Sequence, residues 1–352
     1  MNVRRRTTVI AVAMLGSGAL GACTGSGGGN EGSGGEGGVT TLQYAFFGPA
    51  GSHAGQQMEE WATLVEERTE GRVEVETFPG GTLLGAGDIY DGVTEGVVDV
   101  GLDSPHNDAS RFPLSSVLTV PLGIPDGRVG SAVYYDLIEE FEPTEFDGYH
   151  VVTAFTAEPS FIQSVSTIES YTDMAGAEMR VSGATVPLAE ALGYVPVGMP
   201  IPEVAEALQT NVVDGYISSR DVLRDFGLAE SISTVIEYPF GLAGTFVAVM
   251  DQEDFDALSD QDQAVIDELS AEMSQFAAAY QDDESVAGAI EHAETEYDVQ
   301  FIEPTEEDAA AFDEITSQVQ QEWVEAHAGA DFDAQAVLDR ALELVAEHSA
   351  QQ

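Results

Sequence analysis

What this chain can fold into is constrained most by the alternation of two hydrophobic periods between residues 53 and 217. His53–Thr69 carries Met58, Trp61, Leu64 and Val65 on one helical face, and Val73–Phe78 then switches to a strand period with Val73, Val75 and Thr77 on one side. A helical stretch over Asp88–Glu95, an apolar strand over Val97–Leu102 and a helix over about Arg128–Phe141 come next. Strands are expected at Tyr149–Thr156, Glu178–Val181, Val195–Met199 and Val212–Ile217, with helices over Thr185–Leu192 and Pro202–Gln209 between the last three. Strands joined by helices point to an α/β fold with mostly parallel sheets. One more strand, Phe246–Met250, leads into a long helical region. Its first helix starts at Ser259-Asp260-Gln261-Asp262 and runs to about Glu296, a second opens at Thr305-Glu306-Glu307-Asp308, and a last covers Phe332–Glu347.

The first 38 residues read differently. Arg4, Arg5 and Arg6 precede an apolar run from Thr7 to Leu20, too short to span a bilayer core of about 30 Å at 1.5 Å per residue, so residues 1-22 read as an export signal. Leu20-Gly21-Ala22-Cys23 resembles a lipobox, which makes Cys23 the expected lipidation site and leaves no second cysteine for an intrachain disulfide. Residues 23-38 form a glycine-rich tether too poor in apolar side chains to pack. The mature protein is therefore expected to be exported and lipid-anchored to the outer face of the cytoplasmic membrane, with no later run long enough to embed it.

Charge narrows the function. The 352 residues hold 63 acids against 11 bases, all arginine, for a formal net charge of -52. Such a chain is a poor partner for nucleic acid, whose phosphates demand a basic surface, or for anionic lipid headgroups. The acid is concentrated after residue 250, where 29 Asp and Glu face Arg340 alone; residues 176–220 carry only five acids and two arginines.

Familiar catalytic signatures are missing. A P-loop needs a lysine that the chain lacks, Gly81, Gly85 and Gly87 miss the dinucleotide-binding spacing, and the six histidines show no metal-ligand pattern. Acid-rich Asp251–Asp262 lacks the glycine of an EF-hand loop. No cofactor, no metal and no enzymatic activity are expected, and an exported, tethered α/β protein without such chemistry reads as a capture device.

Three stretches carry a resemblance. They are Thr69–Gly85 with Val93-Thr94-Glu95-Gly96-Val97-Val98-Asp99; Tyr171–Val181; and Ala191–Met199 with Glu203–Gly215. In order and spacing they resemble the DctP-type solute receptors of tripartite ATP-independent periplasmic (TRAP) transporters. The resemblance implies a two-lobed periplasmic-binding-protein-like fold with hinge strands, lobe 1 from residues 39-157 plus 246-285 and lobe 2 from 158-245 plus 286-345. It also implies a cleft that captures an organic carboxylate and closes to deliver it to membrane permease subunits.

By the same resemblance Arg180 falls on the family's carboxylate-binding arginine, a role suited to a planar guanidinium in a low-dielectric cleft. Other positions depart from the pattern. Ser160 or Pro159 stands where many members carry a second arginine, Ser218 replaces an asparagine after Asp214-Gly215, and Phe47, beside Phe46, stands where some members have a polar residue. With Tyr216, these changes point to a monocarboxylate with an apolar or aromatic body. An ABC-type solute-binding lipoprotein and an exported hydrolase with cleft carboxylates stay open as alternatives.

The acid-rich, lysine-free composition also implies a surface adapted to concentrated salt, where a Debye length of about 3 Å at 1 M screens self-repulsion. The melting temperature is expected to rise between dilute buffer and molar NaCl. A thermal unfolding series that stays flat across that range would refute this.

Overall fold

In the computed structural model, which describes residues 39–352, eleven strands build two sheets. The expected signal segment, Cys23 and the tether lie outside the described residues. The strands are β1 (Thr40–Phe46), β2 (Val73–Phe78), β3 (Val100–Asp103), β4 (Tyr149–Thr156), β5 (Phe161–Ser164) and β6 (Glu178–Val181). They continue with β7 (Val195–Gly198), β8 (Gly215–Ser218), β9 (Thr234–Ile236), β10 (Thr245–Asp251) and β11 (Gln300–Ile302). The helices are α1 (His53–Arg68), α2 (Ile89–Thr94), α3 (Gly127–Phe141), α4 (Val186–Ala191), α5 (Val204–Gln209) and α6 (Val222–Asp225). After them come α7 (Gln252–Ala257), α8 (Asp260–Tyr280), α9 (Ala287–Tyr297), α10 (Glu306–Ala326) and α11 (Ala334–Ser349).

The first sheet has the order β2-β1-β3-β10-β4 and the second β11-β9-β5-β8-β6-β7. Parallel pairing joins β1 to β2 and β3, β6 to β7 and β8, and β9 to β11, as the βα alternation predicts. Both sheets are nevertheless mixed. Every antiparallel pair involves β5 or β10, the strands that begin just after the chain crosses from one sheet to the other. A strand entered directly from the other sheet, with no helix to return it, arrives running the opposite way.

Side-chain alternation settles which face each strand buries. Along β5, β8 and β9, Phe161, Tyr216 and Val235 enter one apolar cluster with Val204 and Leu223, while Ile162, Ile217 and Ile236 enter another on the opposite face. Beneath the first sheet, Tyr44, Phe46, Leu102 and Met250 pack with Met58 and Trp61 of α1 and with Ile266 and Leu269 of α8.

Caps set the helix starts. Ser52, Ser259 and Thr305 accept from the backbone N–H of Gly55, Asp262 and Asp308, which satisfies donors that a helix start leaves free. The expected single helix over Asp260–Glu296 is interrupted: a π-helical turn over Gln281–Val286 divides α8, on the first sheet, from α9, which packs on α6. Helical periodicity persists through such a turn, so hydrophobic spacing gave no sign of it. The last two helices touch each other, and each has a further support, α10 on α4 and α11 on α3.

Two segments, 157–160 and 237–244, connect the sheets and pair antiparallel with each other. Ala157 N–H donates to Gly244 O, Ser160 N–H to Gly241 O, and Phe240 N–H to Ser160 O. The pairing needs glycine at 241, because a Cβ there would lie 1.8 Å from the Thr119 carbonyl oxygen. That contact is with backbone, so a side-chain shift cannot relieve it.

Gly241→Ala should therefore destabilise the protein by at least about 2 kcal/mol, whereas Gly51→Ala, with open space around its Cβ, should stay within about 0.5 kcal/mol of the parent. Chemical denaturation of both variants checks this; equal midpoints would contradict the packing of the crossing.

Candidate functional site

The carboxyl ends of β1 and β3 in the first sheet and of β6 and β8 in the second converge on one cleft. Phe46 and Phe47 end β1, Ser104 follows β3, Arg180 and Ser182 end β6, and Ser218 and Ser219 end β8. Ligand sites in α/β sheets form at such strand ends, where loops diverge and leave a crevice. The lining residues border about 590 Å³ of space, part of it open to solvent.

Phenylalanine rings form much of its apolar wall. Phe46 packs against Phe47 with ring centroids 4.8 Å apart and against Phe246 at 6.3 Å; Phe226 and Ile201 add apolar surface. Phe155, behind the wall, stacks on Phe246 at 5.4 Å.

Arg180 is 4 % exposed, and its Nε donates to the Met199 carbonyl oxygen at 2.9 Å. Burial pulls its guanidinium down to about 10, a shift opposed by Tyr216 and Glu203, so it stays cationic at neutral pH. Of the eight arginines among the described residues, the other seven each have a carboxylate within 4 Å; Arg180 has none. A cation desolvated and left without a counter-ion is costly to fold around, and a chain so rich in acid had many ways to pair it.

Arg220 shows the contrast. It lies just past Ser218 and Ser219, but its guanidinium is committed to Glu158 Oε2 at 2.7 Å and Glu237 Oε2 at 2.9 Å, and it sits 4.1 Å over the Phe161 ring. Those two carboxylates belong to the crossing segments. Arg220 thus ties the crossings together, with all three guanidinium nitrogens committed to Glu158 and Glu237.

The expected site residues separate by their place on the strands. Arg180, Phe47 and Ser218 line the cleft together, while Ser160 and Tyr216 do not. Tyr216 is opposite Arg180 in the β6–β8 register and fully buried one step below the cleft, its hydroxyl without a hydrogen-bond partner among the described residues. Ser160 is 1 % exposed inside the crossing, its main chain engaged with Gly241 and Phe240. Its hydroxyl is buried within the crossing.

Two lining residues went unremarked as site candidates in the sequence. His53, the first residue of α1, and Asp221, at the start of α6, approach to 3.5 Å, Nδ1 to Oδ2. Burial would raise the Asp221 carboxyl, but the neighbouring His53, Ser219 and Gln281 hold it below the usual carboxylate range. The His106 imidazole, also lining the cleft, is lowered to about 4 by burial and is neutral. Among the described residues no group of three or more His, Cys, Asp and Glu side chains could hold a metal, and no helix is long and apolar enough to cross a membrane.

Known proteins align with this architecture. The profile of the bacterial extracellular solute-binding proteins, family 7 (DctP), matches residues 45–326. The ectoine/5-hydroxyectoine-binding periplasmic protein UehA of Ruegeria pomeroyi is 24% identical over 295 residues, 81% of this chain and 85% of the relative. A TRAP periplasmic solute-binding protein from Desulfovibrio salexigens is 34% identical with a TM-score of 0.78, over 89% of this chain and 98% of that one. A TRAP solute-binding protein from Rhodoferax ferrireducens, solved with copurified benzoate, is 25% identical with a TM-score of 0.83, over 89% and 99%.

Because Arg180 makes no ion pair among the described residues whereas Arg220 makes two, disrupting each site should affect the ligand-free protein oppositely. Glu158→Gln, which breaks the Arg220 pair, should cost about 3 kcal/mol, while Arg180→Met should leave stability within about 1 kcal/mol of the parent or raise it. Denaturant titrations without ligand test the pair; an Arg180→Met loss as large as that of Glu158→Gln would show that Arg180 is structural.

Proposed function

Since the chain belongs to the family 7 (DctP) bacterial extracellular solute-binding proteins, we propose that it is the extracytoplasmic receptor of a TRAP transporter and captures an organic carboxylate in the cleft, with Arg180 as its anion-binding residue. The observation that carries this reading is the buried guanidinium without a carboxylate partner among the described residues, facing a phenylalanine-lined cleft at the strand ends. A carboxylate entering there completes a bidentate, charge-assisted pair in a site from which water is excluded, where the interaction is far stronger than in solvent. Ser218 and the hydroxyls beside it offer neutral hydrogen bonds, and Phe46, Phe47 and Phe246 offer a surface for an apolar or aromatic body. The benzoate in the Rhodoferax ferrireducens relative fits the same ligand class.

Capture uses the two-lobed arrangement. The crossing segments, residues 157–160 and 237–244, act as the hinge, and the partition into lobe 1 (39-157 plus 246-285) and lobe 2 (158-245 plus 286-345) is part of the proposal. The packing of α11 on α3 makes that helix an attachment of the second lobe to the first. Closure around the solute creates the surface that the permease subunits read, and the receptor itself performs no chemistry. Family membership favours this over an ATP-driven importer or an exported hydrolase. Attachment through a lipid on Cys23 rests on Leu20-Gly21-Ala22-Cys23.

Arg180→Ala should weaken carboxylate binding by about 2–5 kcal/mol, since a desolvated anion loses its charge partner. Calorimetric titration of parent and variant with benzoate and related monocarboxylates in molar salt is the measurement, and equal affinities would overturn the assignment.

A further inference from the structure

Several polar side chains around the cleft are already engaged within the protein. His106 uses both ring nitrogens, on the Thr245 hydroxyl and the Leu242 carbonyl; the Ser52 hydroxyl caps α1; Ser182 pairs with Thr185. His53 differs. Its side chain is 3 % exposed, yet neither ring nitrogen has a hydrogen-bond partner among the described residues, and Asp221 Oδ1 is likewise unpartnered. Nδ1 stands 3.5 Å from Asp221 Oδ2, too long for a good hydrogen bond but close enough to fix the sign of the field it feels.

Buried polar groups without partners are rare because they lose solvation and gain nothing in return. Something that enters the cleft is the natural partner here. The imidazole is held edge-on by two rings, Phe155 at 5.9 Å and Phe246 at 5.2 Å, so its direction is set before a ligand arrives. Phe246 also touches Phe46, which makes the imidazole continuous with the aromatic wall. A carboxylate beside Nδ1 favours the tautomer with its proton on that nitrogen, leaving Nε2 with a free lone pair. A lone pair accepts; it cannot serve a second carboxylate, but it suits an O–H donor.

We propose that His53 is the second polar anchor of the cleft, accepting through Nε2 the hydroxyl hydrogen of a hydroxylated aromatic monocarboxylic acid, with Asp221 as the residue that positions the imidazole. This rests on the capture of the carboxylate by Arg180 and specifies the ligand further. A hydroxyl turned towards the imidazole satisfies the unpartnered nitrogen, whereas an acid lacking it leaves that nitrogen buried and unpaired. Discrimination therefore comes from what the poorer ligand fails to complete.

The test is calorimetric titration of the folded protein with two matched pairs, 3-hydroxybenzoate against benzoate and mandelate against phenylacetate. The hydroxylated member of at least one pair should bind about tenfold more tightly or better. His53→Phe, which keeps a ring without its nitrogens, should abolish that preference while the unsubstituted acid keeps its affinity within about threefold; if that variant does not fold, His53→Leu, which also lacks an acceptor, is held to the same criterion. Asp221→Asn should shrink the preference and move the His53 ring ¹⁵N resonances away from the Nδ1-protonated tautomer, a readout that a purely structural role would leave in place. A parent that binds both members of each pair equally, or a His53 variant that keeps the preference, overturns the role of His53 and leaves the carboxylate reading standing. If none of the four acids binds the parent, the carboxylate reading falls, and this inference with it.

Discussion

The cleft exists because two short crossing segments are held in one arrangement, and Arg220 is what holds them. Its guanidinium meets Glu158 on one crossing and Glu237 on the other, its own backbone N–H donates to Glu158, and Phe161 supports its face. Burial raises the Glu158 carboxyl to about 7, a shift opposed by Arg220, while the two carboxylates raise Arg220 against its own desolvation. Geometry this complete is the condition under which a buried ion cluster specifies a structure rather than merely burdening it. Gly241 supplies the other half of the constraint by letting the second crossing pass against the Thr119 carbonyl. From this junction the strand ends of both sheets are aimed at one another.

The same chain treats its other buried arginine in the opposite way. Arg180 sits on a strand whose neighbours offer Tyr216 and Val197, not carboxylates, and its only protein hydrogen bond among the described residues is to a carbonyl. Pairing costs stability when broken, and absence of pairing costs stability when folded; the two arginines divide these roles. A site kept incomplete in the empty protein has binding energy available when a ligand completes it, which is the ordinary compromise between stability and function.

Much of this was legible in the sequence, and the limits have physical causes. The βα alternation was readable because half-buried strands and amphipathic helices keep different periods, as β2 after α1 illustrates. The strand β5 was not readable: its four residues are all buried and show no alternation, and β9 and β11 have only three residues each. Arg180 stood out as a scarce cation at the position of the family's carboxylate-binding arginine, and Phe47 and Ser218 as departures from the family's polar pattern. Tyr216 shares a strand face with Ser218, yet it lies one step too deep, a distinction set by where β8 ends. His53 and Asp221 are remote in sequence and meet only because both sheets aim their carboxyl ends at the cleft.

Charge distribution completes the physical picture. The acid that gives the chain its net charge of -52 is concentrated in the C-terminal helical region, where exposed carboxylates interact with solvent ions and are screened within a few ångströms in concentrated salt. The Arg180 guanidinium, nearly removed from solvent, is screened far less. Salt therefore weakens the surface field that would repel an approaching anion more than it weakens the pair that retains it. On that basis an acidic receptor and an anionic solute are compatible: the surface governs solubility and encounter, and the buried site governs affinity.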